Sequence, residues 1–484
     1  MSRLARRAGM MTGAALVSLA GVLPARADTL REALVQAYQT NPTLEAARSG
    51  QRGVDENVAI ARAAGLPSAS VSGTYTEFVV TSRTSFTAPE RLVQGQGDVQ
   101  VPIYSGGAVK NRVKAAKIRV GAGQADLRAS ESQLFANVVA AYMDVIRGEA
   151  LVGLNRKNVA VLEVNLQATR DRFEIGDVTR TDVAQSQSRL ALAQSNVLSA
   201  EATLAAARET YIQLVGKAPE ALAPPPPLPG LPDDAREAVM VALDNNPALI
   251  SARESSRAAE KDIDVAGAGR LPTLALFGRG SYSNYLDTLG GVGSSAVPQT
   301  DRQAQIGAQV SIPLFQGGLP AAQRRQAQAQ ASAALEQEIA AERDVIAQVR
   351  SAFTAYRAAL DLIESSQVAV DASELSLEGV RAENSVGNRT ILDILDAEQE
   401  YLNAQTDLVT AQRNSYVAGF TLLAAMGRAE ARDLNLEGGI LYDPEVNYER
   451  VHDKIFDWES DPAPVARSTR TVDTPVQDGD IPES

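Results

Sequence analysis

The second half of the sequence repeats the first, and this duplication restricts the fold more than any other feature. Asn41-Pro42 returns as Asn246-Pro247, 205 positions later, and Gly176 returns as Gly387, 211 positions later. The other repeated motifs are Arg31-Glu32-Ala33 with Arg236-Glu237-Ala238, Leu66-Pro67 with Leu271-Pro272, Gly73 with Gly278, Val101-Pro102-Ile103-Tyr104 with Ile312-Pro313-Leu314-Phe315, Gly106-Gly107 with Gly317-Gly318, and Gly216 with Gly427. The six extra residues of the second copy fall between the positions of Gly73 and Val99, where we expect an exposed loop. Both copies should therefore fold into the same unit.

Each copy has the pattern of a helix, two strands and two further helices. The first helix of each copy ends in Leu-Pro, since the residue before proline disfavours helix. The second helix follows a Gly-Gly pair, and at 1.5 Å per residue its Pro-free run would reach roughly 100 Å. Turns at Gly176 and Gly387 then send the chain back, so that two shorter helices can stack end to end beside the long one. The predicted helical ranges are 29–66, 105–175 and 177–215 in copy one, and 234–270 and 389–427 in copy two.

The strands are indicated by apolar and polar residues that alternate with a period of two. The apolar sets are Ala69, Val71, Gly73 and Tyr75, then Val99, Val101 and Ile103, and in copy two Ile306, Ala308, Val310, Ile312 and Leu314. Such alternation over about ten residues is typical of a membrane β-barrel, although a surface hairpin on a soluble domain remains the alternative. Four strands cannot close a barrel, and lipid does not tolerate unpaired strand edges. A chain of this kind must form oligomers, and the strand pattern does not fix the number of copies.

Composition and charge set the location and exclude several classes of protein. Residues 1–27 have the pattern of a secretory signal, with a basic start, an apolar run and the cleavage motif Ala25-Arg26-Ala27. The mature chain would keep 42 basic residues (46 minus 4) against 59 acidic ones, a net charge of -17 that argues against nucleic-acid partners. No Cys is present, which excludes disulfides, thiolate catalysis and thiolate metal sites. We find no apolar stretch after the signal long enough for a transmembrane helix, so a membrane span would require strands.

The chain divides into two repeats and four connecting or terminal segments. A Pro-rich segment with Pro224 to Pro227 in a row should join the repeats as a stiff connector at mid-height. The last segment is acidic and Pro-containing, which predicts disorder. The predicted parts are the signal 1–27, the first repeat 28–216, the linker 217–233, the second repeat 234–427, an equatorial (mid-height) segment 428–450, and the disordered tail 451–484.

The segment from Asn384 to Ala397, Asn-Ser-Val-Gly-Asn-Arg-Thr-Ile-Leu-Asp-Ile-Leu-Asp-Ala, closely resembles the TolC family of outer-membrane efflux and type I secretion proteins. The paired Asn-Pro motifs and the segment from Ile312 to Gly318 carry the same resemblance, which extends from about residue 28 to residue 430. It implies an α+β membrane protein: a homotrimer with a 12-stranded β-barrel in the outer membrane, continuous with a long periplasmic α-helical barrel. It also implies docking to an inner-membrane transporter, of the ABC or RND type, through a periplasmic adaptor protein.

Two carboxylates just past the second tip are the leading candidates for a functional site. Asp393 and Asp396 are three residues apart and share one helix face. Three copies would place six carboxylates around one axis, where crowding raises some of their pKa values and the ring attracts cations. An isolated pair of this kind would ordinarily be two solvated surface acids. The resemblance instead places them at the periplasmic constriction of the tunnel.

The resemblance also implies a latch that holds the closed state. Arg389 matches the family arginine that ties the inner helices to their neighbours, and Asp182 and Thr181 match its acceptors. Asn384 stands where the best-known members have a tyrosine, and it reaches less far. In the second copy the gate is more complete, because the equivalents of Asp396 and Arg389 in copy one are Gln185 and Val178. The two tip turns, Gly176 and Gly387, are also expected helix caps, and in the family such tips contact the adaptor.

The remaining chemistry-bearing residues do not indicate a catalytic or cofactor site. His452 is the only histidine and lies in the polar tail, so a histidine-based catalytic or metal site is not expected. The basic residues that begin the long helix (Lys110, Arg112, Lys114, Lys117 and Arg119) favour a solvated face, with contact to lipid headgroups as the alternative. We therefore predict no enzyme and no cofactor. The preferred function is a passive conduit, and the alternative from another class is a periplasmic or surface coiled-coil scaffold.

Overall fold

The computed structural model describes residues 28–80, 89–290, 297–436 and 441–481, so the predicted signal 1–27 lies outside the described residues. In copy one the elements are α1 (Leu30–Thr40), α2 (Pro42–Ala63), β1 (Ser68–Glu77), β2 (Arg91–Ser105), α3 (Ala108–Glu174) and α4 (Arg180–Val215). In copy two they are α5 (Ala235–Asn245), α6 (Pro247–Gly267), a 3-10 turn (Ala268–Arg270), β3 (Thr273–Asn284), β4 (Thr300–Ser311), α7 (Leu319–Ser385) and α8 (Ile391–Ala425), followed by α9 (Pro444–Val451). The order of helices and strands is the same in both copies, as the duplication predicted. Among the described helices, none combines the length and the apolar content that crossing a bilayer requires.

The first helix of each copy is broken in two, which corrects the prediction of one continuous helix. The break lies at Asn41 and Asn246, whose backbones are extended, and the following proline begins the next helix. Each asparagine caps that helix, because its Oδ1 accepts hydrogen bonds from the two amides that follow the proline. Its Nδ2 donates across to the end of the returning helix, to the carbonyls of Leu214 (3.0 Å) and Ala425 (2.8 Å). The Asn-Pro motif therefore joins three helix ends at mid-height in both copies, and we call this junction the splice.

The long helices confirm the predicted stacking of two shorter helices beside each long one, and we call the resulting layer the helical wall. Both α3 and α7 contain 67 residues, about 100 Å of helix. Helices α2 and α4 pack along α3, while α6 and α8 pack along α7, so the shorter helices stack end to end beside the longer ones. Because α3 also contacts α6 and α8, the helices form one layer of four columns: α2 with α4, then α3, then α6 with α8, then α7. The main core lies at mid-height, where α1, α3 and α4 bury Phe135, Tyr142, Leu204 and Tyr211.

The four strands form one antiparallel sheet in the order β1-β2-β3-β4. Register places Val71 opposite Gly97, and Gly278 opposite both Val99 and Ile306. Residues that face each other share a side of the sheet. One side is therefore apolar, with Val71 and Ile306 about nine-tenths exposed, and the other carries Ser, Thr, Gln and charged residues such as Asp98 and Arg279, which pair at 2.6 Å. The predicted alternation of apolar and polar residues is confirmed by this register.

Two details of the second hairpin differ from the prediction. Strand β4 ends at Ser311, so Ile312 and Leu314 lie beyond the sheet, and Pro313 between them cannot donate a ladder hydrogen bond. The equivalent residues of β2 stay in the sheet through an irregularity between Pro102 and Tyr104. The six-residue insertion also extends the second hairpin at its loop end. Strand β3 has 12 residues against 10 in β1, and β4 begins at Thr300, two positions before Arg302, the equivalent of the first residue of β2. It is therefore not confined to the loop.

The linker and the tail both follow the helical wall. Asp28 pairs with Leu222 of the predicted linker, and the hydroxyl of Tyr142 lies 2.6 Å from the carbonyl oxygen of Ala223. The tail, predicted to be disordered, has no regular structure from 454 to 481 but runs along the wall with specific contacts. Arg156 pairs with Asp480 at 2.7 Å, and Ile481 packs against the main core. These ion pairs and the packing of Ile481 hold the tail against the wall despite its acidic composition.

Candidate functional site

The tips of the two helical hairpins have the same backbone geometry. Gly176 and Gly387 adopt positive φ values of 82° and 85°, the left-handed conformation that favours glycine. At each tip the amide after the glycine donates to a carbonyl five residues earlier: Asp177 to Arg172 (2.9 Å) and Asn388 to Glu383 (3.0 Å). These bonds end α3 and α7 in Schellman turns. Beside the glycines, Ile175 and Val386 are 81% and 71% exposed.

Asp182 and Asp393 occupy equivalent positions and make the same contacts. Each accepts hydrogen bonds from the backbone amide and the hydroxyl of the threonine three residues before it, at 2.7–2.8 Å. Thr179 and Thr390 in turn accept from the aspartate amides, which completes a capping box at the start of α4 and α8. The threonine hydroxyl and then its amide lower the pKa of both carboxyls below their usual range. Both aspartates are thus ionised caps within their own chain.

Asp396 makes a different contact, although it lies on the same helix as Asp393. Its carboxylate accepts from Arg189 of α4 at 2.5 Å. The pair joins the tip region of copy one to that of copy two. Both side chains are more than a third exposed. The predicted pair of aspartates is therefore divided, because one carboxylate turns back to cap its helix and the other reaches across to the neighbouring hairpin.

Arg389 is not brought to Asp182 or Thr181 within the chain. Its Nε donates to Glu383 at 2.7 Å, and its Nη1 lies 3.7 Å from Asp393. Glu383 is the main reason that the pKa of Arg389 lies above its ordinary value. Asn384 donates to the carbonyl of Arg389 at 2.7 Å, so it supports the turn rather than a distant link. Thr181 is exposed at the start of α4.

A buried carboxylate near the tips was missed in the sequence. Glu398 of α8 is 5% exposed and accepts from Arg381 of α7 (3.1 Å) and from Asn165 of α3 (2.8 and 3.0 Å). It ties three helices together two residues beyond Asp396. The signal was present, because Glu398 falls in line with the apolar residues Leu395 and Leu402 on the buried face of α8. A charged residue in such a stripe indicates an internal ion pair.

In the part of the chain that the structure describes, no three His, Asp or Glu side chains gather closely enough to hold a metal ion. The groups at the tips are carboxylates, guanidinium groups and threonine hydroxyls that mostly satisfy one another. Such an arrangement can hold helices in a fixed position and can present charge to a passing solute. The candidate residues at this end therefore belong to a network of contacts between helices, and the network joins both copies.

The sequence matches the family described as "Outer membrane efflux protein" over residues 33–217 and 239–428. Outer membrane efflux protein BepC of Brucella suis biovar 1 (strain 1330) is 33% identical over 449 residues, which cover 92% of this chain and 95% of that protein. Outer membrane protein TolC of Escherichia coli (strain K12) is 28% identical over 430 residues, 84% of each chain. More distant relatives include two named for protease secretion. Among solved structures, the outer membrane protein VceC of Vibrio cholerae superposes with a TM-score of 0.71 at 23% identity, over 82% of this chain and 96% of that one.

Proposed function

The chain belongs to the outer membrane efflux protein family, and we propose that three copies of it form a duct that conducts solutes passively out of the cell. It is an outer-membrane channel protein of efflux and type I secretion systems in Gram-negative bacteria, and it extends into the periplasm. The family consists of channels rather than enzymes. The alternative of a coiled-coil scaffold is set aside by the family match.

The open sheet is the observation that carries the proposal of a closed oligomer. Within the described residues, β1 and β4 pair on one side only, which leaves two strand edges free. Those edges and the exposed apolar side, with Val71 and Ile306, are compatible with lipid only if further strands close the ring. Three copies of four strands give the 12-stranded barrel that the resemblance implied. The four helical columns of each chain would then continue the barrel as a periplasmic tunnel of helices.

The gate at the far end is proposed from the tip network. Asp393 and Asp396 would line the constriction, and the three chains of a trimer would bring six carboxylates near one axis. The proposed latch consists of Arg389, Asp182, Thr181 and Asn384. Contacts between the three chains of the trimer would add to the bonds within each chain. The Arg189 to Asp396 pair extends this proposal, since it holds α4 to α8 and would resist their separation.

The hairpin tips are the proposed contact with a periplasmic adaptor. Ile175 and Val386 stand exposed beside the two glycine turns, and apolar side chains at rigid turns are suitable for a protein partner. An inner-membrane transporter of the ABC or RND type would deliver the cargo through that adaptor. Lipid of the outer membrane would surround the sheet.

The decisive experiment measures assembly and conduction on one preparation. Outer-membrane fractions should contain a trimer that migrates as a monomer only after heating, and the purified trimer should form discrete channels in planar bilayers. A matched variant with Val71 and Ile306 both changed to Asp should fail to reach the outer membrane, because charge on the lipid face of a strand is destabilising. A stable monomer without channel activity would overturn the proposal.

A further inference from the structure

A loop in the tail, residues 452–460, is fastened to the wall at both ends. At its start Arg62 pairs with Asp453 and donates to the carbonyl of His452 at 3.3 Å. At its end Arg450 pairs with Asp461 through two hydrogen bonds of 2.7 and 2.9 Å. We call these residues the aromatic loop. Two ion pairs at the base hold the loop in one place on the surface.

The top of the aromatic loop is apolar and has no cover within the described chain. Ile455 is 56% exposed, Phe456 is 76% exposed and Trp458 is 99% exposed. The amide of Glu459 donates to the carbonyl of Phe456 at 3.3 Å, and Lys454 pairs with Glu459 at 3.0 Å, so a turn presents the side chains. Three large apolar side chains in four residues on a fastened loop indicate a contact surface.

The level of the aromatic loop in the fold indicates which surface it meets. Helix α9 leads to the loop along α2, where Asn447 donates to Asp55 at 2.7 Å and Tyr448 packs beside Val58. Arg62 lies in the last turn of α2, only six residues before β1 begins at Ser68. Six residues span no more than about 20 Å. The aromatic loop therefore lies just below the ends of the strands.

The start of α3 carries exposed basic residues at this level, while the aromatic loop itself carries Lys454 with Asp453, Asp457 and Glu459. Lys110, Lys114 and Lys117 are exposed in the first three turns of α3, which also starts directly below the sheet. Lysines at this height attract anionic headgroups, and tryptophan is enriched at membrane interfaces because its ring is apolar and its N–H is polar. The aromatic side chains and the lysines both match the headgroup layer of a phospholipid membrane.

We propose that the aromatic loop inserts Phe456 and Trp458 into the headgroup layer of the periplasmic leaflet of the outer membrane. This contact is separate from the sheet itself, and it rests on the proposed function only for the placement of the sheet in the membrane. It would fix the height of the helical wall relative to the bilayer. Phe456 and Trp458, which would make this contact, belong to the tail.

The sequence supplies its own probe, because Trp458 is the only tryptophan. The intact protein is reconstituted into vesicles of phosphatidylethanolamine and phosphatidylglycerol, with a fraction of lipid brominated near the headgroup or deep in the acyl chains. We expect fluorescence at shorter wavelength than for tryptophan in water, stronger quenching by the shallow bromines than by the deep ones, and weak quenching by aqueous iodide.

The matched control moves the probe along the same tail. In a chain with Trp458→Phe and Val476→Trp, the probe stands on the tail beside α4, where Val476 is 92% exposed and Gln477 contacts Glu209. This probe should be quenched by iodide and not by brominated lipid. Channel conductance is measured in both preparations, so a failed reconstitution is separated from a failed inference. Trp458 that iodide reaches as easily as the control, or that is shielded from iodide without quenching by bromines, would overturn the lipid contact, the second result indicating a protein partner.

Discussion

At the scale of single residues, the arrangement of the tips depends on the partner with which each charged side chain pairs. Asp182 and Asp393 are equivalent by sequence and equivalent by contact, since both cap a helix and both have a lowered pKa. Asp396 and Arg389 take the places of Gln185 and Val178 of copy one, and they make contacts that copy one lacks. Of these two residues, Asp396 connects the copies through Arg189, whereas Arg389 pairs with Glu383 inside copy two.

Replacing Arg189 should loosen the link between the two copies at the tip. In Arg189→Ala the carboxylate of Asp396 loses its partner on α4, and the closed arrangement loses up to about 1 kcal/mol per chain because both groups are partly exposed. That corresponds to an open-to-closed ratio up to about fivefold higher per chain. Single-channel conductance in planar bilayers should rise, and the rise should be similar for Arg389→Ala. Arg180→Ala, an exposed arginine near the same tip, is the control. Equal conductance in all three variants and the parent would contradict the assignment.

The capping aspartates predict an acid-dependent loosening of the helix starts. Their pKa values are lower in the folded chain than in the unfolded chain, so their contribution is fully present above the ordinary aspartate pKa of about 3.9. It is lost as the pH falls through the lowered values. Hydrogen exchange, corrected for the intrinsic effect of pH, should therefore accelerate in the first turns of α4 and α8 below that range. The start of α2 is the control, since its cap, Asn41, does not titrate, and equal acceleration there would contradict this prediction.

At the scale of elements, the splices at Asn41 and Asn246 are the features that the duplication conserves in most detail. Each joins the end of a returning helix to the start of an ascending one, so that two short helices behave as one column. Gly427 shows how close the approach is, because a Cβ there would collide with the backbone of Asn245. Its positive φ of 70° also favours glycine. The asparagine thus connects three helix ends within one column through its hydrogen bonds.

Substitution at the splice should destabilise both copies to a similar degree. Asn41→Ala removes the helix cap and leaves the Leu214 carbonyl without its donor, and we expect a loss of about 1 kcal/mol per chain or slightly more. Asn41→Asp keeps the cap but sets a carboxylate against that carbonyl, so it should also lose stability. Thermal unfolding followed by circular dichroism would show a lower midpoint for both variants and for Asn246→Ala. Asn57→Ala, at an exposed position of α2, is the control and should leave the midpoint unchanged.

The elements that the sequence predicted are those with a strong local pattern. Period-two alternation marked β1, β2 and β4, the repeat supplied β3, and the absence of proline from 105–175 marked α3. The break at Asn41 was missed although the motif was recognised and asparagine before proline is a typical helix start. What the motif alone does not show is the group that receives the Nδ2 hydrogen bond. That receiver, Leu214, lies 173 residues away, beyond any local pattern. The partners of Asp396 and Glu398 were missed for the same reason.

At the scale of the whole molecule, the tail joins parts of the wall that are far apart in sequence. It leaves α9 near the strands, passes the splice of copy one, where Thr469 lies close to Gly216, and ends against α3 and α4. Arg208 holds its last residues by donating to the carbonyls of Asp478 and Asp480, both at 2.9 Å. Within the described residues, the tail makes these contacts with copy one, whereas copy two is contacted by the linker, where the hydroxyl of Tyr416 donates to the carbonyl of Pro226 at 3.0 Å. The tail is therefore a one-sided support that fastens the wall of copy one alone.

The contact that holds the end of the tail against α4 can be tested at Gly479. A Cβ at Gly479 would collide with the backbone of Glu201, so Gly479→Ala should lift the last residues away from α4 and release Arg208 and Arg156 from their partners. Because a lifted segment reaches a protease active site more easily, trypsin should cleave after Arg470 several-fold faster than in the parent. Val476→Ala removes only an exposed side chain and should leave the cleavage rate unchanged. The trimer and its conductance should persist in both variants, since the tail contacts neither the sheet edges nor the tips. Unchanged cleavage in Gly479→Ala would show that the tail is not seated by this contact.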